Sequence, residues 1–147
     1  MAACTFFGHR ECYEMDAHVL WDTIEGLINQ GVNTFYVGNQ GGFDGVVYRC
    51  LKQLQKMYPH IRISVVLAYL PTKKQEGEDM SDTIYPEIEG HPKFAIERRN
   101  RWMIAQSDYC VCCINRTWGG AYKFARMAKR RGLTVINLGN ATMEGDA

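Results

Sequence analysis

The sequence predicts an α/β fold: a Rossmann-like, three-layer arrangement in which a five-stranded parallel sheet lies between two layers of helices. Three observations carry that prediction. Short apolar runs alternate with longer stretches whose apolar residues recur at helical spacing, the pattern of repeated strand–helix units. The run from Ile61 to Ala68 is β-branched and largely apolar, which suits a strand covered on both faces. Glycines follow the first, second and fourth apolar runs, where strands hand over to helices. Right-handed crossovers then favour the strand order 3-2-1-4-5, with a switch point between the first and fourth strands.

Residues 3–7 form the first strand and end at Gly8-His9-Arg10. This opening stretch has no basic flank and no long apolar region, so it reads as a strand rather than a signal peptide. A helix over Asp16 to Gln30 follows, with Leu20, Ile24, Leu27 and Ile28 on one stripe and Gly31 as its stop. The second strand is Thr34-Phe35-Tyr36-Val37, closed by the glycine-rich turn Gly38 to Gly45. Val47, Cys50, Leu51 and Leu54 mark the second helix, and Pro59 its end. The third strand is Ile61 to Ala68.

From Tyr69 to Pro92 the chain shows no sustained periodicity, and Thr83-Ile84-Tyr85-Pro86 adds a short extended piece within it. Excursions of this length are functional or mobile, so a lid is weighed here against a plain surface loop. The third helix covers Phe94 to Ser107 and the fourth strand Tyr109 to Ile114. The fourth helix runs from Gly120 to Arg131, the fifth strand from Thr134 to Leu138. One domain thus spans residues 1–139, with 140–147 as a loose tail.

Bulk properties exclude several function classes. A net charge of +1 gives no global field toward nucleic acid or an anionic membrane. No apolar run approaches the roughly 18 residues that a transmembrane helix needs. Of the six cysteines, Cys4, Cys110, Cys112 and Cys113 fall in predicted buried strands and Cys50 on an apolar helix face. Reduced, buried thiols in a cytoplasmic protein are the expectation, with Cys12 a bystander thiol in a loop. No cofactor and no metal site is expected.

The segment Glu97 to Tyr122 organises the functional reading. A helix feeding a parallel strand runs antiparallel to it, so Arg99 and Asn100 reach the same sheet edge as Gly119 and Gly120. Open α/β sheets bind ligands at that edge. Gly8, His9 and Arg10 arrive there from the first strand, bringing a tight turn, an imidazole and a bidentate cation. Gly38, Asn39, Gly41 and Gly42 add a turn whose backbone N–H groups can face an anion. It is neither a dinucleotide fingerprint nor a Walker loop. Asp44 caps the following helix or accepts from a sugar hydroxyl. Phe43 and Tyr122 are candidates to flank a base or sugar, and Trp118 precedes the second glycine turn. Asp108 falls at the opposite edge and reads as structural.

Phe7-Gly8-His9-Arg10, Val37-Gly38-Asn39-Gln40-Gly41-Gly42-Phe43-Asp44, Arg99-Asn100-Arg101-Trp102-Met103, Ser107-Asp108 and Gly119-Gly120-Ala121-Tyr122 together resemble the YpsA/YspA-like branch of the SLOG superfamily. That superfamily also holds the Lonely-guy phosphoribohydrolases and the DNA-processing protein DprA. The likeness covers nearly the whole chain, including Tyr85-Pro86. It implies a domain that binds a nucleotide or nucleotide-derived ligand by its sugar phosphate, as a binding or sensing module. It also implies a homo-oligomer, for which Trp21 and Trp102 are candidate interface residues.

The alternative is a Lonely-guy-like hydrolase of nucleoside 5'-monophosphates. Arg99, Met103 and Asp108 match those enzymes' Arg-Lys-x-x-Met and following Asp, with Asn100 in place of lysine. The second motif departs, because Gly119-Gly120 is followed by Ala121-Tyr122-Lys123-Phe124, without the enzymes' threonine and glutamate. The catalytic candidates are therefore Arg99, Asp44 and Glu97. DprA-like nucleic-acid binding is the least favoured reading, since no basic stripe tracks phosphates.

Overall fold

The computed structural model describes residues 2–9, 12, 16–39, 41–69, 82–86 and 89–142. The chain runs β1 (Ala2–Gly8), α1 (Ala17–Asn29), β2 (Val32–Val37), α2 (Gly41–Met57), β3 (Arg62–Val66) and β4 (Thr83–Ile84). A 3-10 turn (Pro92–Phe94) then leads into α3 (Ala95–Ala105), β5 (Tyr109–Cys113), α4 (Gly120–Arg130) and β6 (Thr134–Asn137). All strand pairings are parallel, in the order β4-β3-β2-β1-β5-β6.

This corrects the expected sheet of five strands in the order 3-2-1-4-5. The sixth strand is β4, from the middle excursion, whose Thr83 and Ile84 register with Val65 and Val66 and extend the sheet beyond β3. Leu67 N–H donates to the Ile84 carbonyl at 2.9 Å, so the edge that β3 would have exposed is paired. A two-residue strand has no periodicity of its own, which is why the sequence shows only an extended piece there. The lid reading falls largely on residues 70–81, 87 and 88, outside the described residues.

Alternation along the strands builds two cores. On one face Cys4 and Phe6 of β1 and Phe35 and Val37 of β2 meet the buried stripes of α1 and α2. On the other, Phe7, Cys110 and Cys112 pack on Met103 and Ile104 of α3 and Phe124, Ala125 and Ala128 of α4. α1 starts where the Asp16 side chain accepts from His18 N–H (2.8 Å), a capping bond that satisfies an otherwise orphan donor. Trp21 and Trp102 are half-buried: Trp21 packs on the first core, and Trp102 meets the Tyr36 ring edge-on at 5.4 Å.

Two further expectations give way. The start of the expected loose tail is tied down: Ala141 N–H donates to the Ile114 carbonyl (2.9 Å), and Asn137 Nδ2 donates to the Ala141 carbonyl (2.8 Å). Residues 143–147 lie outside the described part. Cys12 and Cys113 are joined as a disulfide across 101 positions of sequence, rather than both being free. The parallel pairing sets Gly8 beside Cys113, and a turn closed by Cys12 N–H on the His9 carbonyl (2.9 Å) returns the chain to that point. The argument for a reducing compartment is left with Cys4, Cys50, Cys110 and Cys112, which are free. Among the described residues no helix is long and apolar enough to cross a membrane.

Candidate functional site

A cavity of about 300 Å³ opens at the C-terminal edge of the sheet, where β1 and β5 diverge into their loops. Gly8 and His9 come from β1, Gly38 and Asp44 from the end of β2 and the start of α2, and Arg99 and Asn100 from α3. Arg116 and Gly120, from the β5–α4 connection, complete the polar lining. The apolar floor includes Phe7 and Phe124, whose rings stack at 5.8 Å, together with Met103. The switch point thus collects residues from four separate stretches of chain.

Two glycines make this convergence sterically possible. A Cβ on Gly8 would overlap the ring of Phe43, so only a bare α-carbon lets β1 cross the first turn of α2. A Cβ on Gly38 would lie 2.9 Å from both Arg99 Nη1 and Asp44 Oδ2, so Gly38 leaves room for the cation and the carboxylate.

Arg99 is the best-determined polar group. It is only 3% exposed, with Nε donating to Asn100 Oδ1 (2.7 Å) and Nη1 to the Val66 carbonyl (2.9 Å) and, more loosely, Asn39 Oδ1 (3.4 Å). Its remaining terminal nitrogen makes no hydrogen bond among the described residues. Burial pushes the guanidinium's pKa down, while the nearby Asp44 and Tyr69 push it back up. Arginine's starting value is so high that the group stays charged at neutral pH. The desolvation cost of that charge is offset by three acceptors and a neighbouring carboxylate.

Opposite stands the start of α4. Gly119 adopts φ 97°, a left-handed conformation that glycine enters without strain, and among the described residues no side-chain hydrogen bond caps the helix. Its first N–H groups are therefore available to an anion. Arg116 adds a second guanidinium, lying over the Trp118 ring at 4.1 Å.

Several expected site residues take other places. Gly41, Gly42, Phe43 and Asp44 form the first turn of α2 rather than a loop, since the helix begins six residues before Val47, the first residue of its expected stripe, and of the four Asp44 alone lines the cavity. Phe43 is 1% exposed beneath Gly8 and cannot flank a ligand. Asn39 is exposed and touches the cavity only through Arg99. Trp118 is 65% exposed at the rim, and Gly119 caps α4 without lining the cavity. Tyr122 turns along α4, its hydroxyl accepting from Arg126 Nη1 at 3.2 Å. Glu97 also faces α4: its carboxylate accepts from Lys123 (2.6 Å) and Arg101 (3.4 Å), which hold its pKa below the usual carboxylate value. It does not line the cavity, because two positions along a helix, about 200°, turn its side chain away from that of Arg99. Arg10 lies outside the described residues.

The residue that sequence reading passed over is Arg116. A cation in the loop that opens at the switch point was the available signal. Among the described residues no group of three or more His, Cys, Asp or Glu side chains is placed to hold a metal. The chain matches no family model and no curated protein sequence.

Proposed function

We propose that the chain binds a nucleotide or nucleotide-derived ligand through its sugar phosphate, in the cavity at the β1–β5 switch point, as a binding or sensing domain. The observation that carries this reading is Arg99: a buried cation with one terminal nitrogen unengaged among the described residues, lining a cavity that also receives Arg116 and the uncapped start of α4. Such a group is costly to bury and is stabilised most by an anion beside it. Helix N-terminal N–H groups act in the same direction. The resemblance to SLOG proteins supplies the ligand class; the cavity's chemistry supports the phosphate part of it.

The test is a panel of nucleoside mono- and diphosphates read by thermal unfolding. A ligand at a hundred times its dissociation constant adds about 2.7 kcal/mol, or roughly 5–10 °C for a chain of this size. Arg116→Ala is expected to weaken the best ligand about tenfold or more, as removal of a charge-assisted contact does. A folded protein that no member of the panel stabilises ends this reading.

Asp44 favours a second reading, phosphoribohydrolase activity, because it brings a carboxylate to the cavity beside Arg99. Glycosidic cleavage needs a group that stabilises charge developing at the sugar. Release of free base and ribose 5-phosphate from a monophosphate, abolished in Asp44→Asn while binding persists, would establish it. Binding without any product leaves the first reading alone.

A further inference from the structure

Arg99 also lines a second cavity, of about 310 Å³, built from different stretches of chain. Leu67 and Ala68 lead into it from β3, Tyr85 and Pro86 from β4, and Pro92 and Arg98 from the entrance to α3. Tyr69 flanks it, its hydroxyl donating to the Pro92 carbonyl at 3.1 Å. The guanidinium of Arg98 lies flat against Gly90, where a Cβ would come within 2.7 Å of its central carbon. Arg98 Nη1 donates to the His91 carbonyl (2.8 Å), while Nε is buried with no hydrogen bond among the described residues.

The two cavities share Arg99 and no other described residue. One lies outside β1 and the other outside β3, two strand spacings away, or about 10 Å. Their chemistry differs. The first has two guanidinium groups, a carboxylate and a helix N-terminus. The second has tyrosine and proline faces with guanidinium donors, and no carboxylate among its described lining residues. Flat apolar walls with donors select a flat ring that carries acceptors, since such rings stack on tyrosine and accept from arginine. The side chains that the sequence offered for this task are unavailable: Phe43 is buried and Tyr122 is held by Arg126.

From this juxtaposition we infer that the second cavity takes the heteroaromatic ring of the same ligand whose phosphate occupies the first, with Tyr85 as the stacking face and Arg99 at the junction. The inference rests on the phosphate-site reading above. Calorimetric titration of wild type, Tyr85→Ala and Tyr85→Leu with adenosine monophosphate, ribose 5-phosphate and inorganic phosphate tests it. The monophosphate is expected to bind wild type about tenfold or more tighter than ribose 5-phosphate, the usual effect of one stacked base. Either variant should bring the two ligands together by weakening the monophosphate alone. If one variant fails to fold, the other and the wild-type ratio still decide the matter.

Equal affinity of wild type for both ligands overturns the inference and leaves the phosphate site standing. Parallel weakening of both ligands in the variants overturns it too, by making Tyr85 a support of the first cavity. If neither sugar phosphate binds wild type, the phosphate-site reading and this inference fall together.

Discussion

At Gly8 the backbone of β1 passes so close to Phe43 that a single methyl group cannot be fitted. Gly8→Ala is therefore expected to lower stability by about 1–3 kcal/mol, the usual cost of forcing extra volume into a packed core. Denaturant midpoints should show it, and Gly8→Ala combined with Phe43→Leu should recover part of the loss. A fully stable single variant would mean that the crossing of β1 over α2 is looser than described. Single residues were unevenly legible. Arg99 and Gly38 carry local signals, a cation early in a helix and a glycine after a strand, and both line the cavity. Phe43 and Tyr122 misled, because an aromatic residue near a glycine turn has the same one-dimensional signature whether it packs inward or faces a ligand. Arg116 was visible as a cation in the correct loop, but nothing in the sequence set it above its neighbours.

Elements meet at two edges, and the closed edge is held largely through Asp108. Its N–H donates to the Ala3 carbonyl (2.8 Å), its Oδ2 accepts from Ala3 N–H (3.0 Å), and its own carbonyl accepts from Thr134 N–H (3.0 Å). The turn after α3 thereby ties together the starts of β1, β5 and β6. Asp108→Ala should cost about 1 kcal/mol, the net worth of one hydrogen bond, in urea unfolding. Nucleotide affinity should stay within about twofold, because the cavity lies at the other end of the strands. A strong loss of affinity with unchanged stability would reverse that assignment. Long elements were legible because their stripes are: Leu20, Ile24, Leu27 and Ile28 are all buried as the spacing requires. The start of α2 and the existence of β4 were not, since a helix can begin before its first apolar residue and a strand of two residues has no pattern.

Across the whole molecule the thiols set a limit on alkaline tolerance. Burial pushes Cys4 far above the ordinary thiol range and Cys50 up to about 11. Both folded-state pKa values exceed the ordinary thiol value of about 9.0, so the neutral form is favoured in the fold. The sign follows: the stabilisation is complete below about pH 9 and is lost as pH rises through the folded value, near 11 for Cys50. Unfolding midpoints should be level across pH 7–8 and decline above 9, and the decline should be shallower between 9 and 11 in Cys50→Ala. An identical slope in that variant would remove Cys50 from the account.

What the sequence determined by itself is the class of fold and the edge where chemistry collects. Alternating strand and helix periods with short connections admit few topologies, and those topologies place the glycine turns and Arg99 on one rim. Tertiary structure alone decided which side chains turn into the cavity, that Cys12 reaches Cys113, that the sheet gains a sixth strand, and that Arg99 borders a second cavity with Tyr85. Each of these depends on contacts between positions far apart in the chain, or on rotation by a single residue about a helix axis. A local pattern encodes which elements form, but distances between them arise only when the two cores close around the sheet.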